Sequence, residues 1–78
     1  MRYSKSYRVL RLYTWIEQRK TISLSGTAAD FGIDERTVQR DIADIRAFLA
    51  DFNTETGKRR IISYNRGKDS YVMKIDGM

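Results

Sequence analysis

Apolar side chains recur along this chain at helical spacing three times and at strand spacing once. Between about Ser4 and Arg19, Val9, Leu12, Tyr13 and Ile16 fall on one face of a helical wheel, with Leu10 at its edge, which predicts an amphipathic helix over about 4–19. A shorter helix follows over about 25–31. Ser25 is its predicted N-cap, Ala28, Ala29 and Phe31 are available for packing, and Gly32 can adopt the positive φ that ends a helix. Asp34 then caps a third helix over about 34–52, in which Val38, Ile42, Ile45, Leu49 and Phe52 share one face and Phe48 stands at its margin. After the turn-rich segment 53–57 the period changes to two. Ile62 and Tyr64, the turn residues 65–69, and then Tyr71, Met73 and Ile75 predict an antiparallel β-hairpin over about 59–76 with a basic tip.

Length sets the frame for these elements. A chain of 78 residues accommodates one compact unit, so a single domain over 1–78 is expected, without room for an enclosed active-site cavity. The chain has no cysteine and no histidine, which removes disulfides, thiolate nucleophiles, imidazole bases and most transition-metal ligands. No catalytic residue, metal or cofactor is therefore predicted, and the chain is read as a non-enzyme. Metal-dependent nucleases need clustered carboxylates, and Asp41, Asp44 and Asp51 on one helix cannot all face one point. Nothing resembles a signal peptide or a membrane span, so a cytoplasmic, nucleoid-associated location is expected.

The formal net charge of +5 favours an anionic partner, and its distribution sharpens that expectation. Residues 1–20 carry six basic side chains against Glu17 alone, residues 58–78 carry six against two acids, and the segment between carries three arginines against seven acids. Basic ends flank an acidic centre.

The most specific pattern is Ala28, Gly32, Ile33 and Val38 at the spacing of a helix-turn-helix: a small residue where two helices cross, glycine for the turn, and apolar residues that lock the second helix on the first. Followed by the basic-tipped hairpin, it predicts a mainly α fold with a small antiparallel β-hairpin, a three-helix winged helix-turn-helix. The segments Arg8-Val9-Leu10-Arg11-Leu12, Ala28-Ala29-Asp30-Phe31-Gly32-Ile33 and Arg36-Thr37-Val38-Gln39-Arg40-Asp41-Ile42 resemble the N-terminal winged helix of the bacterial WYL-domain and DeoR-like transcriptional regulators. Thr27 departs from that pattern, which usually has leucine there. The resemblance implies double-stranded DNA as partner, and an effector-sensing domain or a protein partner outside these residues.

The third helix presents Glu35, Arg36, Gln39, Arg40, Ala43 and Ala47 outward. Arginine and glutamine ahead of small alanines suit close insertion into a major groove, so Arg36, Gln39 and Arg40 are the predicted base contacts. Ser25, Thr27, Thr37, Lys58, Arg59, Arg60, Arg66 and Lys68 are the predicted contacts to the DNA backbone. Four neutralised phosphates would give a log–log salt slope of about −3.6. Asp41 falls within the apolar arc of its helix and needs a cationic partner, for which Arg8 is the candidate. Trp15 and Tyr7 lie off the core face beside Arg11, where they could serve an interface. No long heptad helix is visible, so the isolated chain is expected to be monomeric. The alternative function is a winged helix that binds protein without reading bases, which an acidic or apolar third-helix face would favour.

Overall fold

Ser4 opens the first helix by accepting the Tyr7 amide on its hydroxyl, and α1 runs Lys5–Arg19. The computed structural model describes residues 3–77. Lys20 ends α1 in the left-handed region at φ 67°, its amide still bonded to the Ile16 carbonyl, and turns the chain into a short strand, β1, Thr21–Ser23. Ser23 caps α2, Leu24–Phe31, through the Gly26 amide. Gly32 closes α2 at φ 67°, a conformation that costs an L side chain about 1–2 kcal/mol but not glycine. Asp34 caps α3, Glu35–Thr56, with its carboxylate 2.8 Å from the Thr37 amide. The hairpin follows as β2, Lys58–Asn65, one turn of 3-10 helix over Arg66–Lys68, and β3, Ser70–Gly77.

The described residues thus form three α-helices with a three-stranded antiparallel sheet in the order β1-β3-β2. The predicted hairpin is only two-thirds of that sheet. Thr21, Ile22 and Ser23 pair with Val72, Tyr71 and Ser70 on the other edge of β3, a contact supported by Met73 N–H donating to the Lys20 carbonyl at 2.8 Å. Three residues are too few for a period to show, and only Ile22 among them is apolar.

Two helix ends also differ from expectation. The first turn of α2 starts one residue earlier than predicted, with Ser23 rather than Ser25 as cap. At its far end α3 runs on through the residues expected to form a turn, with the Thr54 and Thr56 hydroxyls donating to the carbonyls of Ala50 and Phe52. The Asn53 side chain meanwhile holds both the amide and the carbonyl of Arg60 at 3.0 Å. Gly57, at φ 73°, then stops the helix.

Leu12 and Ile16 of α1, Leu24, Ala28 and Phe31 of α2, the Val38–Leu49 stripe of α3, and Ile22, Ile62, Tyr71 and Met73 of the sheet form one buried core. Ala29, expected to pack, is exposed. Within this core Asp41 is fully buried. Its two carboxylate oxygens accept from Arg8 Nε at 2.9 Å and from the Arg8 fork at 3.4 Å, and Lys5 Nζ approaches to 3.4 Å while bonding Asp44 at 2.7 Å. The pair expected from the wheel is the joint between α1 and α3. No helix among the described residues is long and apolar enough to cross a membrane.

Candidate functional site

Strand β2 and helix α3 lie side by side and run in opposite directions. Asn53 meets Arg60 near one end, and Arg46 donates to the Ile62 carbonyl at 3.0 and 3.1 Å further along. The hairpin turn at residues 65–69 therefore comes to the N-terminal half of α3, and Lys58 and Arg59 go to its C-terminal end. Over seven residues of strand the separation is on the order of 24 Å.

Arg36, Gln39 and Arg40 are exposed together on the first two turns of α3, with Ala43 and Ala47 exposed beyond them. Their neighbour Asp34 is held below the usual carboxylate range, first by the Thr37 hydroxyl and amide, with the charges of Arg40 and Arg36 adding to the effect. Arg66 and Lys68 stand exposed in the hairpin turn at the same end of the molecule.

What fixes that turn is a contact the sequence reading did not find. Asp69, in the left-handed region at φ 50°, accepts the Ser25 hydroxyl at 2.6 Å and the Ser25 amide at 3.2 Å on one carboxylate oxygen, and the Tyr64 hydroxyl at 3.2 Å on the other. Its carbonyl accepts the Leu24 amide at 3.0 Å. A carboxylate on the open N–H groups at a helix start is favourable both as a cap and against the helix dipole, so Asp69 ties the hairpin to the start of α2. The Ser25 bonds hold its carboxyl below the ordinary range, with Tyr64 adding to them. An acid directly before a strand, where Asp and Asn tolerate positive φ, was the available signal.

Of the eight side chains predicted to touch the DNA backbone, the structure turns four to other work. Thr27 is buried, on the stripe Leu24, Thr27, Ala28, Phe31 that faces the core, and cannot reach a phosphate. Arg60 is 13% exposed. It points inward on the same strand face as Ile62, donates from Nε to Glu17 at 3.1 Å and lies 5.2 Å from the Phe52 ring centroid. Ser25 gives its hydroxyl and amide to Asp69, and Thr37 gives its own to Asp34 at 2.6 and 2.8 Å, so neither keeps a free proton for a phosphate oxygen. Lys58, Arg59, Arg66 and Lys68 are exposed, and none forms an ion pair among the described residues. Only Arg66 and Lys68 share an end of the molecule with the exposed arginines of α3.

Glu17, bonded to the Tyr13 hydroxyl at 2.7 Å and to Arg60, is likewise held low, first by that hydroxyl and then by the Arg60 charge. Asp34, Asp69 and Glu17 all have folded-state values below their unfolded ones. Their stabilising contributions are complete above the unfolded carboxylate range and are lost as pH falls through the lowered native values. The melting temperature is expected to hold from neutral pH to about pH 5 and to drop below about pH 4, and Asp69→Asn, which cannot titrate, should remove part of the drop. A melting temperature unchanged down to pH 2 would show that these bonds do not stabilise the fold.

No group of three or more acidic, histidine or cysteine side chains stands together as a metal site among the described residues. No protein family, curated protein or solved structure gives a match to this chain.

Proposed function

We propose that this chain is a winged helix-turn-helix that binds double-stranded DNA as the DNA-reading unit of a transcriptional regulator. On this reading α2, the Gly32 turn and α3 form the helix-turn-helix, and the β2–β3 hairpin is the wing. The observation that carries it is the gathering of Arg36, Gln39 and Arg40 on the exposed start of α3 with Arg66 and Lys68 on a hairpin turn tied to α2 by Asp69.

The N-terminal half of α3 enters the major groove. Arginine pairs its two donors with guanine O6 and N7, and glutamine pairs its amide with adenine N6 and N7. The methyl groups of Ala43 and Ala47 keep the helix surface low enough for close approach. Asp44 and Asp51, further along, hold the C-terminal half away from phosphate. Arg66 and Lys68 meet the backbone or minor groove beside the helix, giving affinity and salt dependence without sequence choice.

The test is a titration of the isotopically labelled chain with a mixed-sequence duplex of about one and a half turns at low salt, followed by two-dimensional NMR. Amide shifts concentrated at residues 35–43 and 64–69, fading steeply with added salt, are the expected result. If no amide moves at low salt, the DNA reading fails, and the same α3 face belongs to a protein partner instead.

A further inference from the structure

The two edges of the sheet end differently. Along β2, every second residue from Lys58 to Ile62 turns its backbone toward α3. The Lys58 amide donates to the Thr56 hydroxyl at 3.3 Å, Asn53 holds the amide and carbonyl of Arg60, and Arg46 holds the Ile62 carbonyl. Side chains of the helix thus cap this edge. Antiparallel pairing alternates, so Arg59, Ile61 and Ser63 bond across to Asp76, Lys74 and Val72, and the β3 residues between these turn their N–H and C=O groups to the opposite side. There β1 meets only residues 70–72, and beyond it the Met73 amide donates to the Lys20 carbonyl. The Met73 carbonyl and both backbone groups of Ile75 have no partner on that side among the described residues, and the Gly77 amide faces the same way by the same alternation. The Ile75 side chain, 40% exposed, continues the inward row of Tyr71 and Met73 past the buried core. Lys74 and Asp76 flank it on the solvent face, exposed and without an ion pair among the described residues.

We propose that a second copy of this chain pairs with this open edge, β3 against β3, in an antiparallel two-fold register centred on Ile75. The segment Lys74-Ile75-Asp76 is its own complement in that register. The two Ile75 residues exchange N–H and C=O groups at the axis, each Gly77 amide reaches the partner's Met73 carbonyl, and each Lys74 stands directly opposite the partner's Asp76. These charged pairs are of the kind without backbone bonds between them, with Cα atoms only about 4.5 Å apart, where opposite charges attract and like charges repel. Lysine on an exposed edge ordinarily keeps a second edge away. A cation and an anion placed symmetrically about one apolar residue do the reverse. Because the axis is perpendicular to the sheet, inward faces stay inward, and the two Ile75 side chains cover one another. Residues 73–77 of each copy make a small interface, which puts the dimer at the weak end of the stability range. It needs no heptad helix, the element whose lack pointed to a monomer.

This pairing lies at the end of the hairpin away from Arg66 and Lys68, and it is measured without DNA. Sedimentation equilibrium between about 10 µM and 1 mM is expected to show the mass rising from 9.2 kDa toward twice that value. Ile75→Pro removes the N–H at the centre of the pairing and no backbone bond within the chain, so it should keep the circular dichroism spectrum and remain a monomer. K74D and D76K each set like charges opposite one another at two places, and each should raise the dissociation constant about tenfold or more. Mixed, these two chains present Asp to Lys at both places and should combine, with shifts at the Ile75 and Gly77 amides when one chain is isotopically labelled and the other is not. A wild-type chain that remains at 9.2 kDa at about 1 mM overturns the proposal. So does a dimer that survives Ile75→Pro, or a K74D and D76K mixture that fails to combine while each chain remains folded.

Discussion

Replacing Arg8 with alanine is expected to lower the melting temperature by roughly 12–24 °C. Asp41 has no exposed surface, and its carboxylate depends on the Arg8 fork at 2.9 and 3.4 Å. Removing one partner of a buried pair leaves a charge that is neither solvated nor matched, at a cost of about 3 kcal/mol or more. In a domain of this size each kcal/mol moves the midpoint by about 4–8 °C. A chain of 78 residues has roughly 4–12 kcal/mol in total, so the variant loses a large share of its stability. Lys5 limits the damage but does not repair it. It already sits 3.4 Å from Asp41, yet its strongest contact is Asp44 at 2.7 Å and it remains largely in solvent. Arg8→Lys should recover little, since an ammonium cannot replace a fork whose third nitrogen also donates to the Tyr3 carbonyl at 3.3 Å. The double variant R8M/D41L removes both charges together and should melt close to the wild type, because the pair's attraction only offsets its desolvation. Thermal melts by circular dichroism decide the matter: an Arg8→Ala chain that melts with the wild type would mean that Asp41 has no energetic need of its partner.

That pair was legible in the sequence because the α3 wheel placed an acid inside an apolar arc and α1 offered a cation on its flank. The helices were legible for the same reason, since Leu12 and Ile16, and Val38 through Leu49, repeat at a spacing that only a helix turns to one side. Two predicted phosphate contacts failed on information that was also present. Thr27 belongs to the 24, 27, 28, 31 stripe of α2, and Arg60 stands two residues before Ile62, on the inward face of β2. In both, the periodicity of the element turns the side chain inward, whatever its affinity for phosphate. Strand β1 and the Asp69 tie were hidden more deeply, because both are contacts across most of the chain between segments with no period of their own. The separation of Lys58 and Arg59 from the hairpin turn follows from strand length alone, but its consequence depends on α3 lying antiparallel to β2, which only tertiary contacts establish.

On the proposed DNA-binding reading, alanine at Arg36, Gln39 or Arg40 is expected to weaken binding to a preferred duplex by about 5- to 150-fold each, equivalent to about 1–3 kcal/mol for a lost bidentate base contact. The loss should be smaller on non-preferred duplexes, so these variants bind more evenly across sequences. Alanine at Arg66 or Lys68 acts differently. It should weaken every duplex alike and reduce the log–log salt slope by about 0.9 per residue. The hairpin turn by itself then accounts for a slope of about −1.8, half the value that four neutralised phosphates would give. Lys58→Ala and Arg59→Ala should leave the slope unchanged, since these side chains stand on the order of 24 Å from the turn along β2. Fluorescence anisotropy titrations of the seven alanine variants, each over a short salt series, separate the outcomes. Should Lys58→Ala shrink the slope as much as Lys68→Ala does, the duplex must follow the length of the hairpin instead of crossing its turn. The first two turns of α3 would then no longer lie over the groove, and the base contacts assigned to Arg36, Gln39 and Arg40 would fall with them.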